Sequence, residues 1–267
     1  MASDTNNLHF GQATDQGLVR ENNQDALMAF VARGDSSEAH PLFGLFLVAD
    51  GMGGHRHGEK AAALTERLVT GEVTRRVYIP LLHNENDNPT PITEVLTNAV
   101  EKANSEVFEN LNGAGSTLTI AVVMGERIHL AHIGDTRAYL IKDDAIEQLT
   151  TDHSLKQRMI ATEAVDPEES TVGENVLYRA IGAHQEVEVD TLNKRMPQGS
   201  YLVLCSDGLW GQVNDEEIKN TVLNNEPMLA AEKLIDLAKT TGAPDNVTVV
   251  VAHMPEGEEK TSSDSEA

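Results

Sequence analysis

Seven short runs of apolar and β-branched residues recur along the chain, and they constrain its fold more than any other feature. The runs lie at 26–32, 42–49, 116–124, 127–133, 136–142, 200–206 and 246–253. Each is bounded by Gly, Asp, Asn or Pro, and this combination is typical of strands that end in turns. We therefore predict a core built from many short strands.

Two of these runs, 127–133 and 136–142, are separated only by Gly134 and Asp135. A Gly-Asp pair between two apolar runs is typical of a two-residue β-hairpin. The spacing predicts that the sheet is at least partly antiparallel, and it argues against a doubly wound parallel fold.

Two helical blocks interrupt the predicted strands. Apolar residues recur at three- and four-residue spacing in 58–78 and 92–111, and again in 214–224 and 227–241. This is the spacing of amphipathic helices, which cover a sheet with one face. We predict an α+β fold with helices on strands on strands on helices.

We expect the 267 residues to form one domain over 1–255, followed by a disordered acidic tail at 256–267. Single sandwiches and barrels of this length are common. The tail is rich in charge and poor in apolar residues, which favours disorder. The stretch 150–178 also lacks a regular pattern.

The charge balance limits the partners of this chain. Lys and Arg number 20 against 43 Asp and Glu, a net charge of −23. Such a protein repels phosphate backbones and anionic lipid headgroups, so we expect no nucleic-acid or membrane partner.

The single cysteine, Cys205, cannot form an internal disulfide, and the first residues lack the pattern of a secretory signal. We expect a cytoplasmic protein, and a monomer.

Five aspartates lie at the ends of the predicted strands: Asp25, Asp50, Asp135, Asp207 and Asp245. One aspartate at a strand end is usually a turn former or a helix cap. Five that can converge at one rim of a sheet favour a shared cation instead. Carboxylate oxygens without cysteine or paired histidines suit Mg²⁺ or Mn²⁺ rather than structural zinc.

A cation site would also explain the stretch 47–55, where an apolar run ends on Asp50 and is followed by glycines. A buried carboxylate needs a partner, and a glycine at 51 lets a backbone carbonyl approach an ion. An aspartate between two ions about 3.5–4 Å apart can hold a water and lower its pKa. Such a site favours phosphoryl substrates.

The sequence lacks the motifs of two other classes of phosphate-binding site. A cysteine phosphatase needs C-x₅-R, but the sixth position after Cys205 is Gly211, so we predict that Cys205 is a buried core thiol. The sequence has no G-x-x-x-x-G-K-[ST] nucleotide loop.

Eight segments resemble, in order, the metal-dependent serine/threonine protein phosphatases of type 2C, the PPM family, and most closely its compact bacterial members. They are RENNQDA (20–26), VADGMGGHRHGEKAA (48–62), GSTL (115–118), AHIGDTRAYL (131–140), TTDHSL (150–155), YRAIG (178–182), LCSDGLW (204–210) and APDNVTVVV (243–251). The resemblance covers about residues 8–254. It implies a central β-sandwich of two largely antiparallel sheets flanked by helices on both sides, with a mobile flap at 150–178.

The resemblance also implies a centre with two Mn²⁺ or Mg²⁺ ions. In the family pattern Asp50 bridges the ions and Gly51 contributes its carbonyl. Asp207 and Asp245 complete one site, and Asp25 supports the other through water.

Three further residues match family positions. Asp135, with help from Asp207, resembles the ligand of a weaker third metal, and Arg20 matches the arginine that binds the substrate phosphate. His55 aligns with a histidine near the metal water and could protonate the leaving serine or threonine oxygen. His57 lies close enough to compete for that role.

The sequence is therefore interpreted as a protein phosphatase, the counterpart of a serine/threonine kinase, in which a metal-bridging hydroxide attacks phosphoserine or phosphothreonine directly. Two other classes stay open. A non-catalytic metal-binding or partner-regulating module would be expected to lose Asp50, Asp207 or Asp245. A small-molecule phosphohydrolase would use the same metals, and substrate assays separate it.

Overall fold

A computed structural model describes residues 8–34, 41–53, 57–83, 90–162 and 176–256. Three sequence predictions fall wholly or partly outside these ranges. His55 lies outside them, as do residues 163–175 of the predicted flap and 257–267 of the predicted tail.

The strands form two sheets in which every described pairing is antiparallel. The first sheet has the order β1 (His9–Asp15), β11 (Val247–Met254), β10 (Ser200–Cys205), β7 (Arg137–Lys142) and β8 (Ala145–Gln148). The second has the order β2 (Asp25–Ala32), β3 (Phe43–Met52), β5 (Leu118–Met124), β6 (Arg127–Ile133) and β9 (Asp190–Arg195), and β4 (Gly115–Ser116) also pairs with β3.

Two helical layers enclose these sheets. The helices are α1 (Gly58–Val73), which continues through a π-helical turn (Thr74–Tyr78) into α2 (Ile79–His83), α3 (Ile92–Asn110), α4 (Leu155–Ala161), α5 (Asp207–Trp210), α6 (Asp215–Leu223) and α7 (Pro227–Thr240). Helices α1 and α3 pack on the second sheet, while α6 and α7 cover the first. Among the described residues, no helix has the length and apolarity needed to cross a membrane.

Strand β3 shows how the layers are held together. Leu45 and Leu47 belong to the core shared with α1 and α3, while Phe46 and Val48 belong to the core between the sheets. Successive side chains of a strand point to opposite faces, so a continuous apolar run serves both cores. The predicted four-layer α+β fold is confirmed.

The predicted hairpin at Gly134 and Asp135 is wrong. Strand β6 pairs with β5 and β9 in one sheet, and β7 pairs with β10 and β8 in the other. The Gly-Asp pair is therefore a bend by which the chain changes sheets, as happens at the corners of sandwiches. The tight hairpin follows β7, at 143–144, where Asp143 has a φ of 53°.

Strands β1, β8 and β9 were not predicted. Their sequences are HFGQATD, AIEQ and DTLNKR, and few of these residues are apolar. Each lies at or near a sheet edge, where one face is exposed and the long apolar run that marks a central strand is absent.

Antiparallel pairing brings the strand-end acids to one end of the sandwich. The start of β2 lies beside the end of β3, so Asp25 is directly opposite Asp50. The start of β11 likewise lies beside the end of β10, where Cys205 pairs with Val249. Asp207 and Asp245, just beyond these strands, reach the same end.

Candidate active site

The backbone at Asp50 is fixed on both sides by Thr117. The amide of Asp50 donates to Thr117 Oγ1 at 2.9 Å, and the amide of Thr117 donates to the carbonyl of Asp50 at 2.8 Å. This pair of bonds orients the carboxylate at the point where the strand leaves the core.

Glycine at 51 is required by packing. A Cβ at this position would lie 2.2 Å from the carbonyl oxygen of Gly58 and 2.6 Å from that of Gln24. Any side chain would push the start of α1 and the start of β2 away from β3. The prediction that the Gly51 carbonyl also binds a metal stays a prediction.

A cleft of about 330 Å³ opens at this end of the sandwich. Its lining includes four of the five predicted acids together with the predicted phosphate ligand: Asp50, Asp135, Asp207, Asp245 and Arg20. Asp25 does not line the cleft. It lies beside Asp50, and its Oδ2 accepts a hydrogen bond from Ser206 Oγ at 2.9 Å.

Two carboxylate oxygens at this site are buried without a hydrogen-bond partner in the described part of the chain, Asp25 Oδ1 and Asp207 Oδ1. An unsatisfied buried acceptor costs about 1–3 kcal/mol, and more when it is charged. A cation that coordinates such oxygens removes this cost, so the two orphaned atoms fit a metal centre.

Four of the five acids have pKa values above the usual range of a carboxyl group. Burial is the largest cause at each position, and repulsion from neighbouring carboxylates adds to it. The pKa of Asp25 and that of Asp135 rise to about 7 and the pKa of Asp207 rises to about 6, while that of Asp50 is well above its usual range. A bound cation would offset this repulsion, lower the pKa values and favour the ionised carboxylates.

No three His, Cys, Asp or Glu side chains in the described ranges form a ready-made cage for an ion. Such a cage is not what Mg²⁺ or Mn²⁺ requires. Mg²⁺ keeps several waters and uses one or two carboxylates together with substrate phosphates, and water and carboxylate ligands suit Mn²⁺ as well. An open acidic cleft suits both ions.

Arg20 is engaged with one of the predicted metal ligands. Its Nη2 lies 2.5 Å from Asp245 Oδ2, and half of the side chain is exposed. The pairing raises the pKa of the guanidinium, chiefly through the hydrogen bond to Asp245. The structure thus places Arg20 in the cleft, bound to a carboxylate, and its role as a phosphate ligand stays a prediction.

Asn246, which the sequence analysis did not single out, holds the loop that carries Arg20. Its Nδ2 donates to the carbonyls of Gln16 and Asn22 at 2.8 and 2.9 Å, and its Oδ1 accepts from the amide of Gln24 at 2.8 Å. The residue is 3% exposed. The available signal was its position, directly after Asp245 and at the start of an apolar strand.

The bend at Gly134 and Asp135 is held from two sides. The amide of Gly134 donates to His153 Nδ1 at 3.1 Å, and Trp210 Nε1 donates to the carbonyl of Asp135 at 2.9 Å. The guanidinium of Arg137 lies 3.7 Å from the centroid of the Trp210 ring. Asp135, 4% exposed, is therefore positioned by residues of two distant segments.

The described ends of the predicted flap pair with each other beside this bend. The amide of Tyr178 donates to the carbonyl of His153 at 2.9 Å, and the amide of Leu155 donates to that of Val176 at 2.8 Å. Leu177 lines the cleft. The described ends of the predicted flap are thus attached both to the bend that carries Asp135 and to the cleft wall.

Of the two candidate histidines, His57 is exposed at the start of α1, and His55 lies outside the described residues. Cys205 is buried, and burial raises the pKa of its thiol to about 12. A thiol with this pKa is a poor nucleophile at neutral pH, so the prediction of a core thiol is confirmed.

Comparisons of the sequence and of the fold with known proteins each find similar proteins. The sequence model of a family described as Protein phosphatase 2C matches residues 18–244. The chain is 36% identical over 261 residues to the serine/threonine protein phosphatase PstP of Mycobacterium tuberculosis, covering 94% of this chain and 46% of that protein. It is 33% identical over 250 residues to the serine/threonine phosphatase stp of Listeria innocua, covering 91% of this chain and 95% of that protein.

The chain therefore spans about half the length of the mycobacterial relative and nearly all of the listerial one. Its fold is similar to a crystal structure of the catalytic domain of PstP in complex with two manganese ions, with a TM-score of 0.72 and 35% identity. That match covers 92% of this chain and 97% of the solved one.

Proposed function

Because the chain belongs to the protein phosphatase 2C family, we propose that it is a metal-dependent phosphatase that removes phosphate from serine and threonine residues of proteins. Its relatives carry the name serine/threonine phosphatase. The proposal makes this protein the counterpart of a serine/threonine kinase. A monomeric state and a cytoplasmic location stay predictions from the sequence.

One structural observation carries the proposal. Carboxylates from four separate segments meet in one cleft with an arginine, and two buried carboxylate oxygens at the site have no partner among the described residues. Burying several carboxylates together costs free energy, and bound cations would offset that cost. Cations next to an arginine favour a phosphorylated substrate.

We propose two Mn²⁺ or Mg²⁺ ions per site. The two manganese ions in the PstP structure and the all-oxygen donor set support this. When bound, such ions supply charge that polarises the phosphoryl group and lowers the pKa of water. The proposed ligands are Asp50, Gly51, Asp207, Asp245 and Asp25, with Asp135 for a weaker third ion.

Two of the chain's own groups would handle the substrate. The planar guanidinium of Arg20 can grip two phosphate oxygens, after exchanging its present bond to Asp245 for a bond to phosphate. His55 would give a proton to the departing serine or threonine oxygen.

The test is hydrolysis of a phosphothreonine peptide and of p-nitrophenyl phosphate, with Mn²⁺ and with excess chelator, by the parent and by Asp207→Ala. We expect the parent to bind two Mn²⁺ by calorimetry and to require metal for turnover. Asp207→Ala should lose nearly all activity and weaken Mn²⁺ binding, whereas Asp215→Ala, which removes an exposed carboxylate outside the cleft, should change neither.

Each alternative gives a different result. Full turnover in excess chelator would overturn the metal assignment. Hydrolysis of small phosphate esters with no activity on any phosphopeptide would indicate a small-molecule phosphohydrolase. Mn²⁺ binding without turnover of either substrate would indicate a non-catalytic module.

A further inference from the structure

A second cavity, of about 370 Å³, opens directly beside the acidic cleft. Met52 and Gly53 line both spaces, so the two adjoin at the end of β3. The far wall of the second cavity is formed by the end of α3, including Phe108, and by the loop after Ala180. We call this cavity the Phe108 pocket.

The chemistry of the Phe108 pocket contrasts with that of the cleft. Among its described lining residues, Asn112 is the one polar side chain and none is charged. Phe108 is 42% exposed although it is a large apolar residue. Burial of a charged group here would cost free energy without a compensating partner, so the lining favours an apolar occupant.

The walls of the pocket are preformed by close backbone packing. A Cβ on Gly115 would lie 2.8 Å from the carbonyl oxygen of Ile181, and a Cβ on Gly182 would lie 2.4 Å from Val107 Cγ1. Gly182 has a φ of +80°, which glycine adopts without strain. These glycines bring the loop against α3 and leave the space in front of it open.

A buried asparagine holds the same loop in place. Asn104, 1% exposed, accepts from the amide of Gly182 at 2.8 Å and donates to the carbonyls of His184 and Gln185 at 3.0 and 3.1 Å. A wall fixed by three such bonds requires little ordering when a ligand binds, and preorganisation of this kind favours affinity.

We propose that the Phe108 pocket binds an apolar side chain of the substrate, next to the phosphorylated residue in the peptide. The inference rests on the proposed function. A phosphate held in the acidic cleft places the flanking residues at its edge, and the shared lining at Met52 and Gly53 leads into the pocket. An extended peptide advances about 3.3 Å per residue, so a neighbour within a few positions reaches it.

The negative charge of the protein disfavours an acidic residue at the same position of the peptide. The cleft lining carries four aspartates and the whole chain a net charge of −23. Bound cations offset the cleft carboxylates, but the net charge of the whole chain still repels acidic residues beside the phosphorylated one. Peptides with an apolar flanking residue should therefore be better substrates than peptides with Asp at the same position.

The experiment compares matched phosphothreonine peptides in which each position from −3 to +3 is Leu, Ser or Asp in turn. The quantity measured is the ratio of kcat/KM for the Leu and Ser peptides, in which both a general loss of activity and a general change in charge cancel. We expect the parent to prefer Leu at one position or more by about ten-fold or more, the range for one apolar group in a fitting pocket.

Two variants locate the preference. Phe108→Ala should reduce the ratio several-fold, and Ala183→Glu, which places a charge on an exposed residue of the pocket lining, should reduce it further. Leu229→Ala is the matched control, because Leu229 is 45% exposed and lies on α7, which covers the first sheet. It should leave the ratio unchanged.

Two results would overturn the proposal: no preference in the parent at any position, or a preference that both variants retain. Neither result touches the proposed function, which is tested separately by the parent's Mn²⁺-dependent turnover of the Ser peptides. If the parent hydrolyses none of the phosphopeptides, the proposed function is wrong, and the proposal for the Phe108 pocket, which requires a phosphopeptide substrate, is wrong with it.

Discussion

The guanidinium of Arg20 is bound to the carboxylate of Asp245, with Nη2 and Oδ2 2.5 Å apart. The residue predicted to grip the substrate phosphate is thus paired with a residue predicted to bind metal. A metal that coordinates Asp245 competes with Arg20 for the same oxygens, so metal binding would release the guanidinium for phosphate.

This relationship predicts the behaviour of Arg20→Ala. The Michaelis constant for a phosphothreonine peptide should rise at least about ten-fold, because a hydrogen bond between charged groups is lost. Mn²⁺ should bind as tightly as before or up to about five-fold more tightly, since the exposed ion pair that competes with it is worth at most about 1 kcal/mol.

Steady-state kinetics and calorimetric Mn²⁺ titration measure the two effects. Arg20→Lys, which keeps the charge but not the planar fork, should fall between parent and Arg20→Ala in Michaelis constant. An Arg20→Ala protein with weaker Mn²⁺ binding would show that the arginine supports the metal site, contrary to the competition inferred from the pair.

Asn246→Ala should both destabilise the protein and weaken substrate binding. The change leaves the amide of Gln24 and the carbonyls of Gln16 and Asn22 without their side-chain partner, at about 1–3 kcal/mol for each group that stays buried. The loop that carries Arg20 loses its attachment, so the Michaelis constant should rise as well.

Urea unfolding and peptide kinetics test this together. Asn214→Ala is the matched control, because Asn214 caps α6 through the amide of Glu217, away from the cleft. It should cost about 1 kcal/mol and leave the Michaelis constant unchanged. Equal Michaelis constants for Asn246→Ala and the parent would show that the asparagine has no part in positioning Arg20.

His132 predicts a specific dependence of stability on pH. Its Nε2 donates to the carbonyl of Thr151 at 3.1 Å, and its Nδ1 lies 2.9 Å from Thr119 Oγ1. Burial, and then the neighbouring His153 ring, lowers the pKa of His132 to about 3, while the charge of Asp190 partly opposes this.

An unfolded histidine has a pKa of about 6.5. Below that pH the histidine is protonated in the unfolded state, whereas folded His132 stays neutral because its pKa is lower. The parent should therefore lose stability relative to His132→Gln as the pH falls below 6.5, by at most about 1.4 kcal/mol per pH unit. The carboxylate cluster titrates in both proteins and cancels in the difference.

Chemical unfolding from pH 8 to pH 5 at fixed metal concentration measures this difference. It should be constant between pH 7 and 8, where His132 is neutral in both states, and shrink below pH 6.5. A difference that stays constant down to pH 5 would mean that His132 is protonated in the folded protein.

The general-acid assignment of His55 rests on the sequence and is tested by the choice of leaving group. A serine or threonine oxygen needs a proton as its bond to phosphorus breaks, so loss of a general acid should slow peptide hydrolysis by about 10²–10⁴. p-Nitrophenolate leaves without such help, so His55→Ala should slow p-nitrophenyl phosphate hydrolysis far less.

His57→Ala is the control and should affect both substrates little. If His55→Ala slows the two substrates by the same factor, the histidine orients metal or water and is not the acid.

The sequence by itself determined the layers of the fold and the chemistry of the site. Long apolar runs such as 42–49 and amphipathic spacing such as that in 92–111 indicate which faces of an element are buried. This pattern lies within each segment, so it can be read without knowing which other segments pack against it. Motifs around Asp50, Asp207 and Asp245 indicated carboxylates at strand ends for the same reason, since each lies next to its own strand.

Only the tertiary structure decided which segments meet. The bend at Gly134 and Asp135 has the local pattern of a hairpin, but β6 and β7 pair with other strands in different sheets. The bond between Arg20 and Asp245, the hold of Asn246 on the loop before β2 and the Phe108 pocket all join residues far apart in the chain. Such contacts depend on long-range strand pairing and packing, which the periodicity of a single segment does not encode.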